Sequence, residues 1–122
     1  MNEDMNYESH FEFQGLVQKN LQVFAAELGL TLEEGLELYR EFSGQTSQII
    51  ERFETSLAHK DFETIKKQSH QIKGTASNLR IEEVFHIARS LEIAALESDE
   101  SQCEKLCRQL SQLMERIIAE LN

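Results

Sequence analysis

In five successive stretches of this chain apolar residues recur every third or fourth position, and no proline interrupts any of the 122 residues. At about 100° per residue such spacing paints one face of a helix, the face that turns to a core. Leucine, glutamate and glutamine fill the intervening positions, and residues of this kind favour helix over strand. The chain is therefore expected to be all-α.

Taken in order, residues 1–12 are polar and acidic with scattered Tyr7 and Phe11, and read as a mobile or loosely docked arm. Residues 13–122 read as a single domain with one modest core. Phe13, Leu16, Val17, Asn20, Leu21, Phe24, Ala25 and Leu28 form the stripe of a first helix over 13–28, with Gly29 suited to a left-handed cap. Thr31 followed by Glu34 is a capping box, opening a long helix. Its inner face would hold Leu32, Leu36, Tyr39, Phe42, Thr46, Ile49, Ile50, Phe53 and Leu57, with Gly35 and Gly44 as weak points. Asp61 is the expected N-cap of a third helix, whose stripe is Phe62, Ile65, Ser69, Ile72, Ala76 and Leu79. Its end is weakly marked, since Asn78 tolerates a left-handed conformation and Arg80 does so less readily.

A fourth helix over 82–97 presents Ile81, Val84, Ile87, Ala88, Leu91, Ala94 and Ala95 on one broad face. Phe85, Ile93 and Leu96 fall away from that face, so this helix either packs on two sides or keeps part of its surface exposed for a partner. Ser101 with Glu104 repeats the capping-box pattern, and Cys103, Leu106, Cys107, Leu110, Leu113, Met114, Ile117, Ile118 and Leu121 give the last helix a continuous seam. Four amphipathic segments joined by short loops imply an up-down-up-down antiparallel four-helix bundle, with the additional N-terminal helix packed across one end or side.

One residue of the third helix does not fit this scaffold. His70 points roughly 130° away from the centre of the apolar stripe, and Lys66, Lys67, Lys73 and Gly74 lie one turn before or after it. A neutral imidazole is one of the few side chains able to act as a nucleophile near neutral pH. Lysine is a compact charge suited to phosphate oxygens. Glycine in a helix interior costs roughly 1 kcal/mol relative to alanine, a cost explained where another molecule must come close. The bland alternative is a surface histidine without a role. A phosphorylatable histidine accounts for all three residue types together.

His70-x-x-Lys73-Gly74, followed by the small run Thr75-Ala76-Ser77 and then Leu79, resembles the signature of histidine-phosphotransfer (HPt) domains, the carriers of multistep phosphorelays. Asp61, nine residues before His70, and the long segment before it extend the similarity over residues 30–121. The resemblance implies a helical bundle whose histidine accepts a phosphoryl group from the aspartyl phosphate of a response-regulator receiver and relays it to another receiver. Carried over residue by residue, His70 would be the phosphoacceptor, Lys73 the phosphate-stabilising cation and Gly74 the clearance for the receiver. Lys66, Lys67, Gln71, Ser77 and Phe85 are candidate docking residues, with a solvated charged face as the competing reading of Lys66 and Lys67. The family commonly has glycine after the leucine, where this chain has Arg80, which leaves the geometry of that turn open.

The implied partners are receiver domains and a sensor or hybrid histidine kinase, and a monomer is expected. Two other functions fit the same residues: a histidine-bearing module phosphorylated by a separate chemotaxis-type kinase domain, and a non-catalytic helical adaptor that binds and blocks a receiver. No Gly-rich phosphate loop is present, so the chain is expected to be a phosphocarrier without an ATP site, kinase activity or cofactor of its own. The formal charge of −10 argues against nucleic acid or an anionic membrane surface as partner. Within residues 59–80, Lys60, Lys66, Lys67, Lys73 and Arg80 outnumber Asp61 and Glu63, a local +3 in a chain whose remainder carries −13. Cys103 and Cys107 share the inner stripe of the last helix and read as buried, reduced thiols rather than metal ligands. With neither a long apolar run nor a basic leader at its start, the protein is expected to be cytoplasmic and away from membranes.

Overall fold

The computed structural model describes the backbone of residues 2–122 and the side chains of residues 15–122. Five helices, α1 (Asn2–Leu28), α2 (Leu32–Ala58), α3 (Phe62–Asn78), α4 (Glu82–Leu96) and α5 (Glu100–Leu121), account for nearly all of it, and no strand occurs among the described residues. The all-α expectation holds. α1 starts well before the expected residue 13; whether residues 1–12 act as a loosely docked arm turns on side chains outside the described residues.

The four connections share one design. Gly29, Lys60, Arg80 and Ser98 each take a left-handed conformation, with φ of 67°, 53°, 62° and 55°. After each of them the next N–H closes on the carbonyl five residues back: Leu30 on Ala25, Asp61 on Ser56, Ile81 on Ala76 and Asp99 on Ala94. This six-to-one closure satisfies carbonyls that a helix end leaves without partners. Arg80 occupies the position where glycine is easiest. Its guanidinium returns some of the cost, donating from Nη1 to the Ser77 and Asn78 carbonyls and from Nε to Glu27 Oε2 on α1 at 2.8 Å. Asn78 remains helical, so the left-handed residue is Arg80.

Helix starts follow the sequence in two cases out of three. Thr31 and Glu34 form the reciprocal capping box, and Asp61 accepts the Thr64 N–H at 3.1 Å. At α5 the cap is Asp99, which accepts the Gln102 N–H, and not Ser101 paired with Glu104. The turn closed by Ser98 leaves Asp99 at the first position able to cap, so Ser101 already lies inside the helix.

α3 packs on α4, α4 on α5, α5 on α2 and α2 on α3, while α1 lies against α2 and α5. Tyr39, Phe53, Ile65, Ile72, Leu91, Leu110, Met114 and Ile117 fill the interior. Tyr39 packs on the Phe24 ring, and its hydroxyl donates to the Leu79 carbonyl at 2.6 Å, tying the end of α3 to α2. Gly35 is a contact point rather than a weak point: a Cβ there would stand 2.7 Å from Leu21 Cδ1, so glycine lets α1 approach α2 closely. Leu28 and Leu32, expected on inner faces, are exposed, because both flank the α1–α2 turn beyond the end of the packed layers. Among the described residues no helix is long and apolar enough to cross a membrane.

Candidate functional site

The orientation of α3 follows from its buried stripe. Ile65, Ser69, Ile72 and Ala76 all face inward, and the Ser69 hydroxyl is satisfied by donating to the Ile65 carbonyl at 2.6 Å. His70 follows Ser69 and is therefore turned outward, its side chain 68% exposed. Alongside it runs α4, which contributes a residue that the sequence reading did not pick out. Glu92 Oε2 lies 2.7 Å from His70 Nδ1, and Glu92 Oε1 lies 2.7 Å from Lys73 Nζ. One carboxylate thus spans the imidazole and the ammonium.

This geometry selects a tautomer. The Lys73 ammonium holds the Glu92 carboxyl below the usual carboxylate range, with the His70 hydrogen bond adding to the effect and partial burial opposing it. An ionised carboxylate only accepts hydrogen bonds, so Nδ1 must be the protonated nitrogen. In the neutral ring the lone pair is then on Nε2, the nitrogen not engaged by Glu92. Lys73, its side chain 25% exposed, commits one of its three donors to Glu92 and keeps two.

The remaining candidates divide. Gly74 is exposed, and a Cβ built on it would meet nothing within 4 Å, so the surface beside His70 is open there. Lys66 turns back along the helix to Glu63 at 3.3 Å, while Lys67 and Gln71 stay exposed. Ser77 and Phe85 lie farther along the α3–α4 seam, where they line a hollow of about 360 Å³ with Arg80, Ile81, Glu82 and His86. Phe85 is half-buried and meets the His86 ring edge-on, whereas Ile93 and Leu96 are 46% and 68% exposed. Of the two arrangements open for the off-face residues of α4, the exposed surface applies to Ile93 and Leu96. Glu63, already counted within the local +3, pairs with Lys66, and Glu92, which comes from outside residues 59–80, pairs with Lys73, so two of the lysines around His70 are matched by carboxylates.

His59 lies at the end of α2, where its Nδ1 is 2.9 Å from the Thr55 carbonyl, a local contact within its own helix end. Both thiols are buried and free. Among the described residues no three His, Cys, Asp or Glu side chains are grouped to hold a metal ion.

The family model of the Hpt domain matches residues 37–120. The chain belongs to the Hpt domain family. Membership links it to histidine phosphotransfer in phosphorelays, where Hpt domains interact with receiver domains and kinases. This is the family that the residues around His70 resemble. No curated protein and no solved structure matched the chain. The matched span contains His59, His70 and His86, and among these His70 alone is hydrogen-bonded to a carboxylate that also holds an ammonium.

Proposed function

We propose that this Hpt domain is a phosphorelay carrier in which His70 accepts a phosphoryl group from the aspartyl phosphate of one receiver and passes it to another. The observation that carries the proposal is the contact between Glu92 Oε2 and His70 Nδ1. It leaves Nε2 as the nucleophile on an exposed ring that is already oriented, which lowers the entropic cost of attack.

In the proposed step the Nε2 lone pair attacks phosphorus in line with the bond to the receiver's aspartate. The P–N bond forms, the P–O bond breaks, and the aspartate leaves as a carboxylate. His70 becomes cationic as it gives up the lone pair, and the Glu92 carboxylate at Nδ1 stabilises that charge. Lys73 offers its two uncommitted donors to the equatorial oxygens. Gly74 keeps the adjoining surface low, so that the receiver can close over the ring. Return of the phosphoryl group to a second receiver reverses these events.

Docking in this reading uses the α3–α4 face: Ile93 and Leu96 supply exposed apolar surface, Lys67 and Gln71 polar contacts, and Ser77 with Phe85 the adjoining hollow. The up-down-up-down order of α2 to α5 belongs to the same proposal. It is supported by the tight turns at Lys60, Arg80 and Ser98 and by the closed order of helix contacts.

The test is transfer from receivers labelled with radioactive acetyl phosphate. The proposal expects acid-labile, base-stable label on the wild type and none on His70→Gln. Label that persists in His70→Gln overturns it. Receiver binding without any labelling favours the adaptor, and labelling by a kinase domain alone favours the kinase-fed module.

A further inference from the structure

The α2–α5 side of the domain carries a second concave feature, which phosphoryl transfer at His70 does not use. α1 covers only part of this side: Gly35 of α2 lies under Leu21, and Glu120 of α5 accepts the Val17 N–H. Beyond that cover, between residues 50–58 of α2 and 100–111 of α5, a groove of about 680 Å³ is open. Its floor is apolar, with Phe53 and Cys107 buried and Ile50 and Leu57 half-buried. Both rims are acidic: Glu51 and Glu54 stand on one, Glu100 and Glu104 on the other, against Arg108. Among the described residues Glu51, Glu54 and Glu104 have no ion-pair partner, and Glu100 reaches only Lys60, at 3.9 Å.

Shape and charge together define an occupant. Ile50, Phe53 and Leu57 form a continuous apolar strip along α2, and the α5 wall runs for about 16 Å, some three helical turns, a length that admits a short helix. Two acidic rims over an apolar floor complement a helix with one apolar face flanked by lysine and arginine. The chain's own first 14 residues are the wrong complement, since Glu3, Asp4, Glu8 and Glu12 are their only charged side chains. We propose that this groove docks a basic amphipathic helix of a partner protein. His70 stands on α3 beside α4, so such a partner holds the domain by its α2–α5 side while a receiver uses the other.

The test uses the full chain, isotope-labelled for NMR, and a synthetic amphipathic Leu/Lys helix of about four turns, with a scrambled peptide of the same composition as control. Amide shifts should cluster in residues 50–58 and 100–111, and the scrambled peptide should bind at least tenfold more weakly. The variant Glu51→Gln/Glu54→Gln/Glu104→Gln removes surface charges that each contribute a severalfold effect at most, so it should weaken binding about tenfold, with an unchanged melting curve. Shifts centred on α3 and α4, equal binding of the scrambled peptide, or undiminished affinity of the glutamine variant would overturn the proposal. Concentration-dependent shifts of the same residues without peptide, with a doubled mass in solution, would overturn it in favour of a second copy of this chain.

Discussion

Glu92 on α4 holds His70 on α3 by its Nδ1, at 2.7 Å, while its other carboxylate oxygen holds Lys73 at the same distance. A single side chain from the neighbouring helix thus sets the tautomer of the proposed nucleophile and the position of the proposed phosphate-binding cation.

Replacing Glu92 by glutamine keeps the shape and removes the charge. A hydrogen bond to a charged group contributes roughly 1.5–3 kcal/mol, so transfer from a receiver to Glu92→Gln should slow about ten- to a hundredfold. Receiver binding should change little, because the loss falls where the imidazole gains charge. Rapid-quench transfer kinetics alongside a binding titration check this; equal losses in both would assign Glu92 to docking.

The same carboxylate gives a pH signature. Its pKa is lowered in the folded protein, chiefly by Lys73, so its stabilising contribution is present above the ordinary carboxylate range and is lost as pH falls through the lowered value. Wild type should therefore lose more stability on acidification from neutral pH than Glu92→Gln does, with the difference appearing only below about pH 4.5. Urea unfolding at a series of acid pH values measures it.

At Gly74 stability and function should separate. A side chain there meets open space, so Gly74→Leu should fold and gain up to about 1 kcal/mol of helix stability. Phosphoryl transfer should nevertheless fall steeply, because the added side chain would stand where the receiver is proposed to close. Thermal melting and transfer rates on the same preparation check both halves.

Burial pushes the Cys107 thiol up to about 12, with Cys103 adding to the effect, and burial raises Cys103 as well. Thiolate is the reactive form. Neither cysteine should react with iodoacetamide at pH 8 in the folded protein, and both should react in guanidinium, as mass spectrometry would record.

Much of the fold was legible because it rests on local rules. The apolar spacing placed α2 to α5; Thr31 and Asp61 marked the starts of α2 and α3 as side-chain caps, and Gly29 marked the end of α1 through a permissive backbone. Asp99 was missed as a cap because Ser101 and Glu104 offered a rival pattern, and the left-handed turn at Ser98 decided between them. His70, Lys73 and Gly74 were visible since they lie within one turn of one helix. Glu92 was not, because it is 22 residues away and its partnership exists only once α3 and α4 lie side by side. A signal was available: His70 and Glu92 stand at equal distances from Ile81 in the connecting turn, and folding two helices about that point brings them level. The apolar wheel of α4 drew attention to Phe85, Ile93 and Leu96 instead.

The most direct measurement is the nitrogen that carries phosphate. Proton–nitrogen NMR of the protein phosphorylated by a receiver distinguishes the two ring positions. The geometry at Glu92 predicts the phosphoryl group on Nε2 of His70, with Nδ1 still protonated; phosphate on Nδ1, or on any other residue, would contradict the account.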